Sequence, residues 1–423
     1  KETALYLSGK YHKGVFGVDK ELRRKAGVND FMYRKNVVIE NVGQAVGENL
    51  QNHHIDIFHG QAEFVDQHHV RIAGHLEKIL FGHYIIIATG SYPFHPENIP
   101  FDNNRVHDSD SILTIKRFPK SLCVLGAGVI GCEYATIFAA MGIKTFVVND
   151  KDKILGFLDQ EISKALVAQM QKDGITILFN NSVTGLHVPD LDEGDLRIKL
   201  SSGDFINVDM FLFPAGRSGT IRNLGCEKAG IKMGERETIL VNEKFQTNVP
   251  HIYAVGDVIG FPALASTGMD QGRVAVAHIF KTGDLHMLTE IFPYGIYTVP
   301  EVSMVGLTEE TAKRTGLNYV LGYSYYHDIT RGKIMADKDN GFLKLVAEKE
   351  TKIIRGVHIM GNIATELIHY GMTLVKDRKT LDEVIATVFN YPSFHDLYKY
   401  ASYDALGNLF GKKLKKSGAQ VTT

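Results

Sequence analysis

Cysteine is scarce in this sequence. Only Cys123, Cys132 and Cys226 occur in 423 residues, with no regular spacing. That excludes a disulfide-stapled scaffold and fits a reducing compartment, so the cytoplasm is the expected location. An excess of charge of one sign is missing as well. The formal net charge is −1, so no global field draws the chain to nucleic acid or to an anionic membrane. No apolar run reaches the length of a membrane-spanning helix. The longest, such as Tyr84–Ala88, are strand-sized. There is no G-x-S-x-G elbow and no Walker lysine. The adjacent histidines His53-His54 and His68-His69 lack a completing set of cysteines or carboxylates, and neighbours on a strand point to opposite faces, so no metal is expected. The chain opens at Lys1-Glu2-Thr3-Ala4-Leu5 without methionine or a cap signal, and it is expected to be a fragment whose beginning is missing.

What is present is ordinary in bulk and specific in detail. Apolar content of 44% and charged content of 22% are those of a globular protein, long enough for two or three domains. Residues 122–133 read Leu-Cys-Val-Leu-Gly-Ala-Gly-Val-Ile-Gly-Cys-Glu: a buried strand, a glycine turn and a helix start. Gly126 lets the chain turn off the strand. Gly128 removes a side chain so that backbone can touch a pyrophosphate. Gly131 lets the helix pack closely, and the N–H groups around Val129, Ile130 and Gly131 face the anion. This is the fingerprint of a dinucleotide site.

Along the chain, residues 1–54 read mostly as helix, with Val37–Val42 ambiguous. Short alternating segments follow at 55–59, 62–65 and 70–72, then the apolar run 85–87 before Ala88-Thr89-Gly90, which predicts a meander and a central strand. A second strand is expected at 144–148. A helix capped by Asp159 follows, with Ile162, Leu166 and Met170 on one face, stopped at Gly174. Further strands lead to the run 210–213 before Pro214-Ala215-Gly216. A strand ending at Asp257 precedes a small-residue helix around 273–280. From Phe292 strands and helices alternate without a phosphate loop. The last dozen residues read as a frayed tail.

These stretches together resemble the FAD-dependent pyridine nucleotide-disulfide oxidoreductase family. The motifs Ala88-Thr89-Gly90, Gly126–Gly131, Pro214-Ala215-Gly216-Arg217, Tyr253-Ala254-Val255-Gly256-Asp257 and Tyr297-Thr298-Val299-Pro300-Glu301 fall in the family's order. The resemblance implies an α/β fold with two Rossmann-like nucleotide-binding domains and a C-terminal α+β dimerisation domain. An FAD domain would occupy 1–116 and 236–291, N-terminally incomplete, with an NAD(P) domain inserted at 117–235 and a dimer-interface domain at 292–423. FAD, NAD and NADP are the implied cofactors, nicotinamide dinucleotides the substrates and a homodimer the assembly. Lys1 resembles the lysine of a Pro-Ser-Lys sequence that follows the family's first flavin glycine motif and redox-active segment, so both are expected upstream of it. By resemblance Asp257 bonds the flavin ribityl chain, Ala265 lies at the flavin, Glu133 faces the nicotinamide, Gly216 lets backbone approach the dinucleotide, and Ala88-Thr89-Gly90 marks the crossing between domains. From the residues alone, Asp257 can equally cap a helix, and Glu133 can be a surface acid favoured by the helix dipole.

The segments 128–135, 157–161 and 389–392 are most similar to the family's transhydrogenases. Disulfide reductases of the family carry a His-Pro-Thr-x-x-Glu motif near the end. Here Tyr391-Pro392-Ser393-Phe394-His395-Asp396 stands in its place, with tyrosine for the acid/base histidine and Asp396 for its orienting glutamate. Reducing a disulfide needs a proton donor for the leaving thiolate. Passing hydride from NADPH to flavin and on to NAD⁺ does not, so ping-pong transhydrogenation is the expected reaction and no catalytic acid or base is assigned. A dihydrolipoyl dehydrogenase-like disulfide reductase and a non-catalytic dinucleotide-binding fragment are the alternatives, and Tyr391 can be a packing residue at a dimer interface. At the tip of the second strand, Asn149 can bond either dinucleotide, Asp150 can grip a ribose hydroxyl, and Lys151 and Lys153 can reach a 2′-phosphate. Such a tip rejects neither NAD nor NADP. The plainer alternative is an NAD-preferring site gripped by Asp150.

Overall fold

The structure is a computed structural model that describes residues 1–7, 27–74, 77–189, 194–283, 291–335 and 341–411. It separates into two compact units. One holds the described residues of 1–34, 97–214 and 291–423, the other those of 35–96 and 215–290.

The first unit is built on a five-stranded parallel sheet in the order Val106–Asp108, Met210–Phe213, Ser121–Leu125, Lys144–Val148, Thr176–Leu178. Leu122, Cys123 and Val124 are all buried, as are Val147 and Val148, which is why these strands read as unbroken apolar runs. Helix Val129–Ala140 crosses from the first glycine-tipped strand to the second. Helix Gln160–Lys172 follows with Asp159 as its N-cap, the carboxylate accepting from Glu161 N, and with Ile162, Leu166 and Met170 turned into the core. Gly174, at φ 89°, ends that segment in a conformation that favours glycine.

The same unit carries a five-stranded antiparallel sheet in the order Tyr294–Ile296, Glu301–Gly306, Ile354–Gly361, Phe342–Glu348, Tyr319–Tyr325. Helices Ala364–Lys376 and Asp396–Leu409 bury Leu367, Ile368, Leu397 and Ala401 in its core. A second core joins the two sheets: Ile154, Leu155, Leu158 and Ile162 share one cluster with Val302, Met304, Phe342 and Met360.

The other unit contains the meander Gln61–Phe64, His69–Ala73, Lys78–Phe81, the parallel pair Ile85–Ile87 with Ile252–Ala254, the antiparallel pair Ser91–Pro93 with Arg217–Gly219, and helix Ala265–Phe280. No helix among the described residues is long and apolar enough to cross a membrane.

The structure differs from the sequence expectations in one place. Residues 55–59 alternate in polarity but form no strand. Val37–Val42 lies inside helix Val28–Asn52. The division between the compact units falls at 96/97 and 214/215, where Val106–Asp108 is an edge strand of the parallel sheet and Arg217–Gly219 pairs with Ser91–Pro93. The expected tail lies outside the described residues.

A Cβ at Gly131 would lie 2.1 Å from the Gly126 carbonyl oxygen, so backbone has to move to admit one. Gly131→Ala is therefore expected to lower stability by about 1–3 kcal/mol, in the range of overpacked cores, read as a lower midpoint in thermal unfolding.

Candidate functional site

The glycine turn of the first unit is assembled as its sequence requires. Gly126 adopts φ 103°, a conformation that favours glycine, and its N–H donates to Val148 O at 2.7 Å. Gly128 is the N-cap of helix Val129–Ala140, and no side chain caps that end. A Cβ at Gly128 would meet nothing within 4 Å, so the approach to it is open. The first N–H groups of a helix have no partner within it and carry its positive end. Val129, Ile130 and Gly131 supply them here, beside an open glycine, which fits a dinucleotide pyrophosphate.

The second strand's tip behaves differently from expectation. Asn149 is 5% exposed. Its Oδ1 accepts from Ala127 N at 3.1 Å, and its Nδ2 donates to the carbonyls of Lys151 at 3.0 Å and Lys153 at 3.1 Å. Both amide hydrogens are committed to shaping the loop, so Asn149 is not the free group that the sequence reading has bonding a ribose. Asp150, Lys151 and Lys153 are exposed and remain to meet one.

Glu133, just past the first turn of helix Val129–Ala140, is half-buried and accepts from Tyr297 N at 2.8 Å. Burial pushes its carboxyl up, against the opposing pull of that N–H and of Lys1. Lys1 Nζ bonds Glu301 and lies 5.9 Å from the Tyr297 ring centre. Glu301 Oε2 accepts from Thr365 N at 3.0 Å and Thr365 Oγ1 at 2.8 Å. Glu133, Tyr297, Lys1 and Glu301 thus meet in one place. The sequence reading assigned Glu301 no role, although the motif Tyr297–Glu301 that contains it was visible.

In the other unit, Asp257 sits in the short turn Gly256–Ile259, well before helix Ala265–Phe280, so it does not cap that helix. Its Oδ2 accepts from Ser91 Oγ at 2.8 Å. Ser91 is held in turn by Arg217, whose Nε donates to Ser91 Oγ and whose Nη2 donates to Ser91 O, both at 2.7 Å. These three line a cavity of about 280 Å³ with Gly219, Thr238 and Ala263. Helix Ala265–Phe280 begins at Ala265 without a side-chain cap. A carboxylate on a cavity wall suits the hydroxyls of a ribityl chain, and a helix N-terminus suits an electron-rich carbonyl or a phosphate, so the residues present fit part of a flavin dinucleotide. Gly90, at φ 73°, follows Ala88 and Thr89, and its carbonyl accepts from Thr220 N at 2.9 Å. Gly216, at φ 92°, accepts from Phe94 N at 3.1 Å. The structure therefore gathers Ala88, Thr89, Gly90, Gly216, Asp257 and Ala265 in one unit, and Gly126–Gly131, Glu133, Asn149 and Asp150 in the other.

Near the C-terminus, Tyr391 is 72% exposed and its hydroxyl bonds Thr330 Oγ1 at 2.7 Å. His395 Nδ1 faces Ser393 Oγ at 3.2 Å, and burial holds its imidazole below the usual range. Burial pushes the thiols of Cys123 and Cys132 up to about 12 and raises that of Cys226. No group of three or more metal-ligating side chains occurs among the described residues.

Comparison with known proteins accords with this layout. Residues 2–272 match the family model described as pyridine nucleotide-disulphide oxidoreductase, and residues 292–402 match the dimerisation domain of that family. A soluble pyridine nucleotide transhydrogenase of Mycobacterium bovis (strain BCG / Pasteur 1173P2) is 38% identical over 412 residues, covering 97% of this chain and 87% of that protein. One of Hahella chejuensis is 36% identical over 388 residues, 88% and 82% of the two chains. Among solved structures, the HOCl-induced flavoprotein disulfide reductase RclA from Escherichia coli superimposes with a TM-score of 0.82 at 25% identity, over 94% of this chain and 88% of that one. LpdA from Mycobacterium tuberculosis, at 21% identity and a TM-score of 0.85 over 95% and 88%, shares the fold. With both domain models matched in order, this chain belongs to the pyridine nucleotide-disulphide oxidoreductase family.

Proposed function

We propose that this chain is a pyridine nucleotide transhydrogenase, catalysing NADPH + NAD⁺ → NADP⁺ + NADH in a ping-pong cycle through FAD. The observation that carries this reading is the 38% identity to soluble transhydrogenases across 97% of the chain. FAD, when bound, supplies a two-electron store that one dinucleotide fills and the next empties. The chain's own residues bind and orient. The open turn at Gly126, Gly128 and Gly131 and the N–H groups of Val129 and Ile130 hold the dinucleotide pyrophosphate. Asp150 meets a ribose hydroxyl, and Lys151 and Lys153 meet a 2′-phosphate. Glu133, fixed by Tyr297 N, faces the nicotinamide. Asp257, positioned by Ser91 and Arg217, takes ribityl hydroxyls. The start of helix Ala265–Phe280 and the backbone at Ala88, Thr89, Gly90 and Gly216 border the cofactors.

The proton chemistry of a disulfide reductase has little support in these residues. Tyr391, standing where those reductases carry their acid/base histidine, is exposed and bonded to Thr330. The assembly in this reading is a homodimer through residues 292–402, and the location is the cytoplasm.

Three measurements test the reading. In an anaerobic absorbance experiment, NADPH is expected to bleach a flavin band and NAD⁺ to restore it. Turnover of dihydrolipoamide with NAD⁺, and no exchange between nicotinamides, would replace the reading with a disulfide reductase. Gly128→Ala meets no atom within 4 Å, so its stability should change by no more than about 0.5 kcal/mol. Its dinucleotide dissociation constant should nevertheless rise at least about tenfold, roughly 1.4 kcal/mol, because the new methyl stands where pyrophosphate approaches. Finally, Cys123, Cys132 and Cys226 should resist a thiol reagent at pH 8 in the native protein and react after denaturation.

A further inference from the structure

Lys344 lies on strand Phe342–Glu348 of the antiparallel sheet and is fully buried. Its Nζ is 3.0 Å from Asp159 Oδ1, 2.7 Å from Glu161 Oε2 and 2.7 Å from Glu309 Oε2. One ammonium therefore faces three carboxylates. His358, directly across the strand pair from Lys344, adds no positive charge. Its Nε2 faces Leu307 O at 2.9 Å, its Nδ1 has no partner, and burial drives its imidazole down, with Lys344 adding to that push. Burial alone would depress Lys344, but Glu161, Glu309 and Asp159 outweigh it and hold the ammonium charged.

Asp159 is where this cluster reaches the nucleotide site. It is fully buried, caps helix Gln160–Lys172 through Glu161 N at 3.1 Å, and accepts from Glu309 N at 3.1 Å through its other oxygen. It also ends the loop that begins at Asn149. Within that loop Leu155 holds φ 45°, a strained conformation for a residue with a Cβ that persists only where its surroundings enforce it. Its N–H donates to Ala127 O at 3.0 Å, in the glycine turn itself. Ser163 Oγ holds Ile154 O at 2.9 Å, and Asn149 ties the loop's first half to Ala127 N. The loop carrying Asp150, Lys151 and Lys153 is thus fastened to the glycine turn at one end and to Lys344 at the other.

We propose that Lys344 is a positioning residue for dinucleotide binding: through Asp159 it anchors the 149–159 loop, so that the antiparallel sheet sets the geometry of the ribose-recognition tip. This rests on the nucleotide site proposed above. Lys344 touches no nucleotide in this scheme. Its effect is carried by a contiguous chain of bonds, and its loss leaves three carboxylates facing one another beneath the loop.

The test uses the full chain with its flavin and two variants, Lys344→Met and Asp159→Asn. Asparagine keeps the N-cap bond, removes the charge and gives up the acceptor that Glu309 N uses. Dissociation constants for NADH and NADPH are read by nicotinamide fluorescence well below each variant's melting temperature, with amide exchange followed at Leu155. Lys344→Met is expected to weaken both dinucleotides about tenfold, about 1.4 kcal/mol, and to speed exchange at Leu155, with flavin content unchanged. Asp159→Asn should shift both readouts in the same direction by a smaller factor. A purely structural role would lower the melting temperature and leave both readouts at the parent's values, and that result overturns the inference. Should Lys344→Met not fold, Asp159→Asn decides alone. If the parent itself binds neither dinucleotide, the assignment of the Gly126–Gly131 site falls first and this inference with it.

Discussion

The Gly126 carbonyl stands where residue 131 would carry its Cβ, at 2.1 Å from that position. Most of the glycine turn and its surroundings follow from this contact. It brings helix Val129–Ala140 against the turn that precedes it, leaving the helix's first N–H groups beyond the C-terminal end of the central strand. It also leaves Ala127 as a joint. Its N–H goes to Asn149, its carbonyl accepts from Leu155 N, and Cys132 Sγ lies 3.5 Å from the same oxygen. The 149–159 loop is therefore built onto the turn, and the two share one geometry. A turn of this kind stores little flexibility, which suits a site that must hold its donors in place before the anion arrives.

Much of this was legible locally, because local features carry their own chemistry. The apolar runs at 121–125 and 144–148, the glycine spacing and the cap at Asp159 each depend on a few neighbouring residues, and all three appear as expected. What was hidden depends on distant partners. Asp159 is visible as a cap but not as the counter-ion of Lys344, 185 residues away. Asn149 looks like a ligand group because nothing nearby reveals that two carbonyls of its own loop and the N–H of Ala127 in the glycine turn claim its amide. The alternation at 55–59 reads as a strand, yet no ladder partner takes it, and alternation alone does not make a sheet. Val106–Asp108 is too short for its sequence to show which sheet it joins, and only its pairing with Met210–Phe213 places it.

The second unit is made of two segments separated by more than a hundred residues, and its folding depends on their meeting. Ser91–Pro93 pairs with Arg217–Gly219, and Phe94 N donates to Gly216 O at 3.1 Å. The chain thus leaves this unit and returns to it at adjacent points, the arrangement that lets one domain be inserted into another without disturbing its host. The same ladder places Arg217 on Ser91 and Ser91 on Asp257. The residues that close the insertion also orient the carboxylate on the cavity wall, so the fold's seam and the proposed flavin site share a hydrogen-bond network.

Transhydrogenation makes an unusual demand on recognition, since NADP(H) and NAD(H) differ by a phosphate of about two negative charges and must both be accepted. A strongly basic tip would hold one and release it slowly, and an acidic tip would exclude it. Here the exposed residues Asp150, Lys151, Asp152 and Lys153 alternate in sign and sum to zero. Near water such charges act over short distances and are screened beyond about 8 Å at physiological salt. In the proposed site a 2′-phosphate would meet lysines beside it without a field that penalises the plain ribose, and a hydroxyl would find Asp150 without a field that repels the phosphate. Discrimination then rests on small differences in contact rather than on net charge. The loop must accordingly be held firmly from beneath, as Asn149 and Asp159 hold it here.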